Sequence, residues 1–202
     1  MTRILAISAG ASNPSSTRKL ADRLTEAVRE RAPRAEVELI DVRELAHDLL
    51  NATTSGLRSP EVSQAVAQVS QADAVIAVTP VFNGAYSGLF KLFFDVLDEG
   101  TLADVPVLLG ATGGTPRHSL AIDQTLVPLF FYLRARPLPW PVYAATDDWS
   151  DPRGLNERIG RAADALVADI GHQTTGASRA RVQPDDDFTL TKDFEAMLAE
   201  LG

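Results

Sequence analysis

The chain of 202 residues contains no cysteine. That excludes a disulfide framework, thiolate catalysis, an iron–sulfur cluster and any cysteine-based zinc site. Positive charge is scarce: 19 Lys and Arg stand against 27 Asp and Glu, a net charge of −8. Nucleic acids and anionic membrane surfaces are held by concentrated basic faces, so neither is an expected partner. No apolar run reaches membrane-spanning length without a charge or a proline. The apolar stretch at residues 1–8 is too short for a secretory signal and soon meets Gly10 and Pro14, which points to a cytoplasmic protein. The patterns HExxH, GxxxxGK[ST] and GxGxxG are all missing. No metal is therefore expected, and neither a nucleoside triphosphatase nor the usual dinucleotide-binding fold is supported. There are no internal repeats.

What the chain does contain is an alternation of two periods. Segments 3–8, 36–42, 73–78, 105–111 and 138–143 read as strands. Segment 36–42 mixes charged with apolar residues, as at a sheet edge, whereas 73–78 is almost wholly apolar and belongs at the centre. Prolines break 138–143, which suits an edge. Helical stripes lie between them: Leu20, Leu24, Ala27 and Val28, bounded by Pro33; Val62, Ala65, Val66 and Val69, opened by Ser59 as cap, Pro60 and Glu61; Phe90, Phe93, Phe94 and Leu97; and Leu155, Ile159, Ala162, Ala163, Leu166 and Ile170. Residues 43–59 lack a period and read as a long connection. Residues 119–133 read as a helix in which Pro128 predicts a kink or a boundary.

This pattern predicts an α/β protein: an open, five-stranded parallel sheet covered on both faces, in the flavodoxin-like order 2-1-3-4-5. At 202 residues one packed domain is expected. After Gly171 the composition turns polar, with Gly176, Pro184 and three consecutive aspartates, before Phe194, Met197, Leu198 and Leu201 return to helical spacing. We divide the chain into a domain at 1–173 and a linker with a short amphipathic helix at 174–202.

Ligands of such sheets bind outside the carboxyl ends of the strands, where the topology switches between strands 1 and 3. Three loops lead there. In the first, Ser12, Ser15, Ser16 and Thr17 stand where a helix begins, and free N–H groups, the helix dipole and hydroxyls favour an anion. Helix capping accounts for one such hydroxyl, not for four. In the second, Pro80 shapes a turn, Gly84 and Gly88 allow close backbone approach, and Asn83 offers donors and an acceptor. Phe82 and Tyr86 have two readings, contact with an aromatic ligand or packing in the core. Lys91 and Asp95, four apart on the next helix, read as a surface pair. In the third, Thr112, Gly113 and Gly114 expose backbone, and His118 is either a ring beside the ligand or a helix cap. His47 and His172 show no partner pattern. No acid–base pair stands out, so no catalytic side chain is expected.

At these residues the chain resembles a known family. Residues 80–95 resemble the run P-x-Y-N-x-S-x-P-x-x-L-K-x-x-x-D of the NAD(P)H-dependent FMN reductases, with Phe82 for Tyr, Ala85 for Ser and Ser87 for Pro. The stretch Ala111-Thr112-Gly113-Gly114-Thr115, with His118, Leu120, Ala121, Asp123, Leu126 and Pro128, is similar to the alkanesulfonate-type reductases that serve two-component flavin monooxygenases. Ser15, Thr17 and Leu20 fit S-x-[ST]-x-x-L, although Ser12 stands where many members have Arg.

The resemblance implies a flavodoxin-like three-layer sandwich that uses FMN with NADPH or NADH. It implies that Ser12, Ser15, Ser16 and Thr17 hold the FMN phosphate. Pro80, Val81, Phe82, Asn83 and Gly84 would line the isoalloxazine, with Thr112, Gly113, Gly114 and His118 at its other edge. It further implies a flavin-dependent monooxygenase as partner and a homodimer or homotetramer, for which residues 43–59 and the tail are candidate contacts. Gln124 stands where some sulfonate-system reductases carry an aromatic that interrupts the helix, an interruption that can produce a π-bulge. The resemblance thus admits FMN both as a held cofactor and as a passing substrate. Alternatives on the same fold are a quinone or azo-compound reductase and a flavodoxin-like electron carrier, although the T-x-T-G-x-T loop usual in flavodoxins is absent.

Overall fold

The computed structural model describes residues 1–173, so the linker and short helix expected at 174–202 lie outside the described residues. The chain begins with β1 (Arg3–Ser8), α1 (Ser16–Arg31), β2 (Glu36–Asp41), α2 (Ala46–Ser55), α3 (Pro60–Gln71) and β3 (Ala74–Phe82). It continues with β4 (Ala85–Tyr86), α4 (Gly88–Asp95), β5 (Pro106–Gly113), α5 (Val127–Tyr132), β6 (Arg136–Pro137), β7 (Val142–Ala145) and α6 (Arg153–Gln173).

The fold is the expected α/β type, but the strand count needs correction. The sheet has seven strands, in the order β2-β1-β3-β5-β6, rather than five in the order 2-1-3-4-5. Two local causes account for the difference. First, β3 runs on past Val78 and turns back antiparallel into β4 through Asn83 and Gly84, whose φ values of 50° and 82° are those of a two-residue hairpin turn. Second, both β6 and β7 pair with β5, at Pro106–Val107 and at Gly110–Gly113 respectively. Pro137, Pro139 and Pro141 lack the N–H that a ladder needs, and Trp140 sits at φ 73°, so the last place in the sheet is filled by two short pieces.

Side-chain alternation sends each strand into two cores. On one face Ile4 and Ala6 of β1 and Ile76 and Val78 of β3 meet Leu20, Leu24 and Val28 of α1 and Leu155, Ala162 and Leu166 of α6. On the other, Leu5, Ile7, Val75 and Ala77 meet α2, α3, α4 and α5, where Phe90, Phe93, Phe94 and Phe130 form a buried aromatic group with ring centroids 4.7–6.2 Å apart. Strand β2 exposes Glu36 and Glu38 between half-buried Val37 and Leu39, as an edge allows, and buries only Ile40.

The connection at 43–59 is not irregular: a 3₁₀ turn over Val42–Leu45 leads into α2, which ends at Gly56 with φ 74°. Only Leu49 and Ala52 of α2 are buried, too narrow a stripe to reveal the helix. Arg58, just beyond it, reaches Asp98 at 2.6 Å and the Val96 carbonyl at 2.6 Å, tying this connection to the end of α4. The segment before α5 is a π-helix over Ile122–Leu126, formed with Gln124 and without the aromatic. Pro128 supplies the cause. In a regular α-helix its ring would meet the carbonyl four residues back, that of Gln124; here the helix widens and α5 starts afresh at Val127. Among the described residues, no helix is long and apolar enough to cross a membrane and no acidic or histidine cluster is arranged for a metal.

Candidate functional site

Register brings the three loops together. Ser8 lies beside Val78, Thr79 beside Ala111, and Pro80 beside Thr112, so β1, β3 and β5 end on one edge. From there α1 departs to one face of the sheet and α4 to the other. A crevice opens where neighbouring connections diverge in this way.

The first loop is shaped largely by its own hydroxyls. Ser15 caps α1, accepting from the Arg18 N–H at 3.1 Å, while its own hydrogen remains free to donate. Ser12 donates to the Pro14 carbonyl at 3.0 Å. Thr17 is buried and bonds Thr112 across the crevice floor at 2.8 Å, joining loop one to loop three. Ser16 is exposed at the first helical position. The N–H groups of Ser16 and Thr17 face the loop with no partner within the helix. There is no acidic residue in this first turn. Arg18 is held by Asp22 at 2.9 Å and Asp41 at 3.1 Å; the Asp22 hydrogen bond is the main cause that raises its pKa further, against burial. Lys19 and Arg23 stand over the Trp149 ring, at 4.6 and 5.6 Å from its centre.

The second loop is the β3–β4 hairpin. Pro80 is buried, Val81 half-buried, and Phe82, Asn83 and Gly84 are exposed at its tip. A Cβ at Gly84 or Gly88 would meet nothing within 4 Å. Gly84 sits at φ 82°, a conformation that glycine adopts without strain. Tyr86 packs on Phe90 with centroids 5.8 Å apart, the core reading of that residue, while Phe82 stays 52 % exposed. Thr79 anchors the hairpin base by accepting from the Ser87 N–H at 3.0 Å, and Ser87 then caps α4. Lys91 and Asp95 form an exposed ion pair.

In the third loop Thr112 is buried, Gly113 half-buried and Gly114 exposed with open space where a Cβ would stand. His118 closes a 3₁₀ turn over Pro116–His118; its ring is exposed and makes no hydrogen bond among the described residues. The loop is pinned from β7. The Tyr143 hydroxyl donates to the Thr115 carbonyl at 2.9 Å. Burial, and then the charge of Asp148, raise the pKa of that hydroxyl, which keeps it a donor.

The profile of the NADPH-dependent FMN reductase family matches residues 2–150. The chain belongs to this family. It is 36% identical over 172 residues to the NADH-dependent FMN reductase SfnE of Pseudomonas putida, covering 83% of this chain and 92% of the relative. It is 37% identical over 158 residues to an FMN reductase (NADPH) of Pseudomonas aeruginosa, covering 78% and 84%. Among solved structures, an oxidoreductase from Corynebacterium diphtheriae superposes with a TM-score of 0.79 at 41% identity, over 85% of this chain and 98% of that one.

Two residues of this FMN reductase fold escaped the sequence reading. A Cβ at Gly10 would lie 2.0 Å from the Ser15 hydroxyl, so the first loop closes only over a glycine. A Cβ at Gly113 would lie 2.1 Å from the Tyr143 hydroxyl, so glycine and tyrosine form one device. Gly10 stands two residues past the end of β1, which is a local signal. Tyr143 lies thirty residues from its partner, and nothing in the local sequence marks it.

Proposed function

We propose that the chain reduces FMN with NADH or NADPH and passes the reduced flavin to a partner monooxygenase. FMN, when bound, supplies the hydride-accepting chemistry. The protein's part is to bind, align and shield. The observation that carries the reading is the open start of α1 beside the hairpin: the Ser16 and Thr17 N–H groups and the Ser15 and Ser16 hydroxyls are unspent donors, and no acid stands in the first turn. A phosphate, which only accepts, fits that donor set. A flat ring fits the rest of the crevice, where Gly114 leaves backbone uncovered and Phe82 offers an exposed face. Buried Pro80 and the Thr79–Ser87 bond fix the backbone on that side. No side chain there is paired as acid and base, in keeping with hydride transfer between two stacked rings. Relatives named as NADH- and NADPH-dependent reductases support either nucleotide. The alkanesulfonate-type pattern at 111–128 supports flavin supply to an oxygenase.

The test is to mix the protein with NADH or NADPH and free FMN and follow nicotinamide absorbance. We expect oxidation that depends on flavin, and product from an added two-component flavin monooxygenase. No oxidation with any flavin overturns the reductase reading. Turnover with quinones far above that with FMN makes the chain a quinone reductase instead. Reduced flavin that never sustains the oxygenase removes the supply role alone.

A further inference from the structure

The start of α1 offers a phosphate hydroxyls and N–H groups but no net charge. Residues 9–17 hold no Lys or Arg. Arg18 is the first cation, and its guanidinium is shared between Asp22 and Asp41, whose two carboxylates outweigh it. Neutral donors orient a phosphate, yet a dianion that leaves water is held most strongly by positive charge.

Two cations nearby are fixed in another way. Lys19 Nζ stands 4.6 Å from the centre of the Trp149 ring, and the Arg23 guanidinium stands 5.6 Å from it. An aromatic ring positions a cation through its quadrupole and brings no charge to cancel it. Neither side chain pairs with a carboxylate among the described residues, and Arg23 Nη1 is buried without a hydrogen-bond partner. Of the acids beside Trp149, Asp148 is occupied by Arg158 and the Ala145 N–H, and Asp147 pairs with neither cation.

Ser15, Lys19 and Arg23 stand at i, i+4 and i+8, so they follow one line along α1 with the cap at its head. Side chains of a helix lean towards its N-terminus, which brings both cations towards that cap. Along the axis Lys19 lies about 6 Å from Ser15 and Arg23 about 12 Å. The screening length at physiological salt is about 8 Å, so Lys19 acts within it and Arg23 beyond it. Arg161 forms the same kind of pair with Trp140, at 4.8 Å, but shares a recess with Arg31 at the other end of α1.

We propose that Trp149 holds Lys19 and Arg23 uncancelled as the counter-charge for the phosphate of FMN. The pair then separates FMN from flavins that lack a phosphate. This inference rests on the flavin reading above.

The test is a fluorescence titration of FMN, and of riboflavin, with the wild type, Lys19→Gln, Arg23→Gln and the double variant. The double variant should bind FMN about tenfold more weakly, with Lys19→Gln giving the larger share and riboflavin affinity unchanged. Added salt should weaken FMN binding more in the wild type than in the double variant. Arg161→Gln removes equal charge from an equivalent pair and should leave FMN affinity alone. An unchanged FMN affinity in the double variant overturns the proposal and leaves the flavin reading standing. An equal loss for both flavins marks a structural role, and an equal loss in Arg161→Gln marks bulk charge; either overturns it. If FMN affinity holds while the KM for NADH rises, the cations face the pyrophosphate of the nucleotide, and the assignment to FMN is overturned. A wild type that binds neither flavin brings down the flavin reading and this proposal with it.

Discussion

At the carboxyl edge of the sheet, Thr17 and Thr112 share a buried hydrogen bond, and Gly10 and Gly113 omit side chains that would collide with Ser15 and Tyr143. At the amino edge, the chain turns from α1 towards β2 through Pro33 and Ala35, and Met1, Ile4, Val167 and Ile170 leave an apolar groove there. Hydrogen bonds have narrow limits of distance and angle, whereas apolar contact is non-directional and scales with area. The first edge is therefore held by directional contacts and is intolerant of added atoms at Gly10 and Gly113. The second accepts whatever apolar surface fits. A ligand with a defined pattern of acceptors needs the first kind of edge.

The strongest way to break this contrast is at Gly113. We predict that Gly113→Val drives Tyr143 off Thr115 and costs about 3 kcal/mol, from overpacking and a lost hydrogen bond together. Titration of FMN fluorescence should show affinity reduced by well over tenfold. The variant Gly113→Ala should regain part of its loss in a Tyr143→Phe background, because the 2.1 Å collision is with the hydroxyl and the next ring atom lies at 3.2 Å. Simple additivity of the two changes would show that they are not one device.

Next in size is Thr17→Val, which leaves the buried Thr112 hydroxyl without its partner. It should cost about 2 kcal/mol in urea unfolding, with little change in m-value. A loss below about 0.5 kcal/mol would mean that water replaces the bond.

Tyr143→Phe alone should cost about 1 kcal/mol and raise the KM for FMN more than it changes kcat, since it loosens a loop and touches no reacting atom. Its pH signature has a definite sign. The Tyr143 pKa is raised in the folded protein, so the contribution is complete below the unfolded value near 10 and is lost as pH climbs through the higher folded value. The alkaline fall in stability should therefore be shallower in the phenylalanine variant. The smallest effect is expected at Lys91→Ala, an exposed pair whose removal should shift stability by less than about 0.5 kcal/mol and leave flavin affinity alone.

Much of the fold could be read from local chemistry. Ser59-Pro60-Glu61 starts α3 as its cap and first turn indicate, and the apolar run in β3 lies at the centre of the sheet. The reading failed where the signal was narrow or distant. Helix α2 buries two side chains, and its Thr53, Thr54 and Ser55 hydroxyls bond back to carbonyls of the previous turn, residues that favour helices little by themselves. Strand β4 is two residues long, too short to show alternation, although Asn83-Gly84 was a usable hairpin signal. The convergence of the loops followed from strand order. The Thr17–Thr112 and Gly113–Tyr143 contacts did not, because each joins residues that only the finished sheet brings together.

The sheet also acts as a partition. The core under α1 and α6 and the core holding the phenylalanines draw on alternate residues of the same strands and have no buried side chain in common. A change that loosens one core therefore finds its compensating change on the same face, among neighbours that touch it. Over many generations of substitution the two faces are free to drift along separate lines, while the strand ends, where both meet the crevice, hold the chain to one geometry.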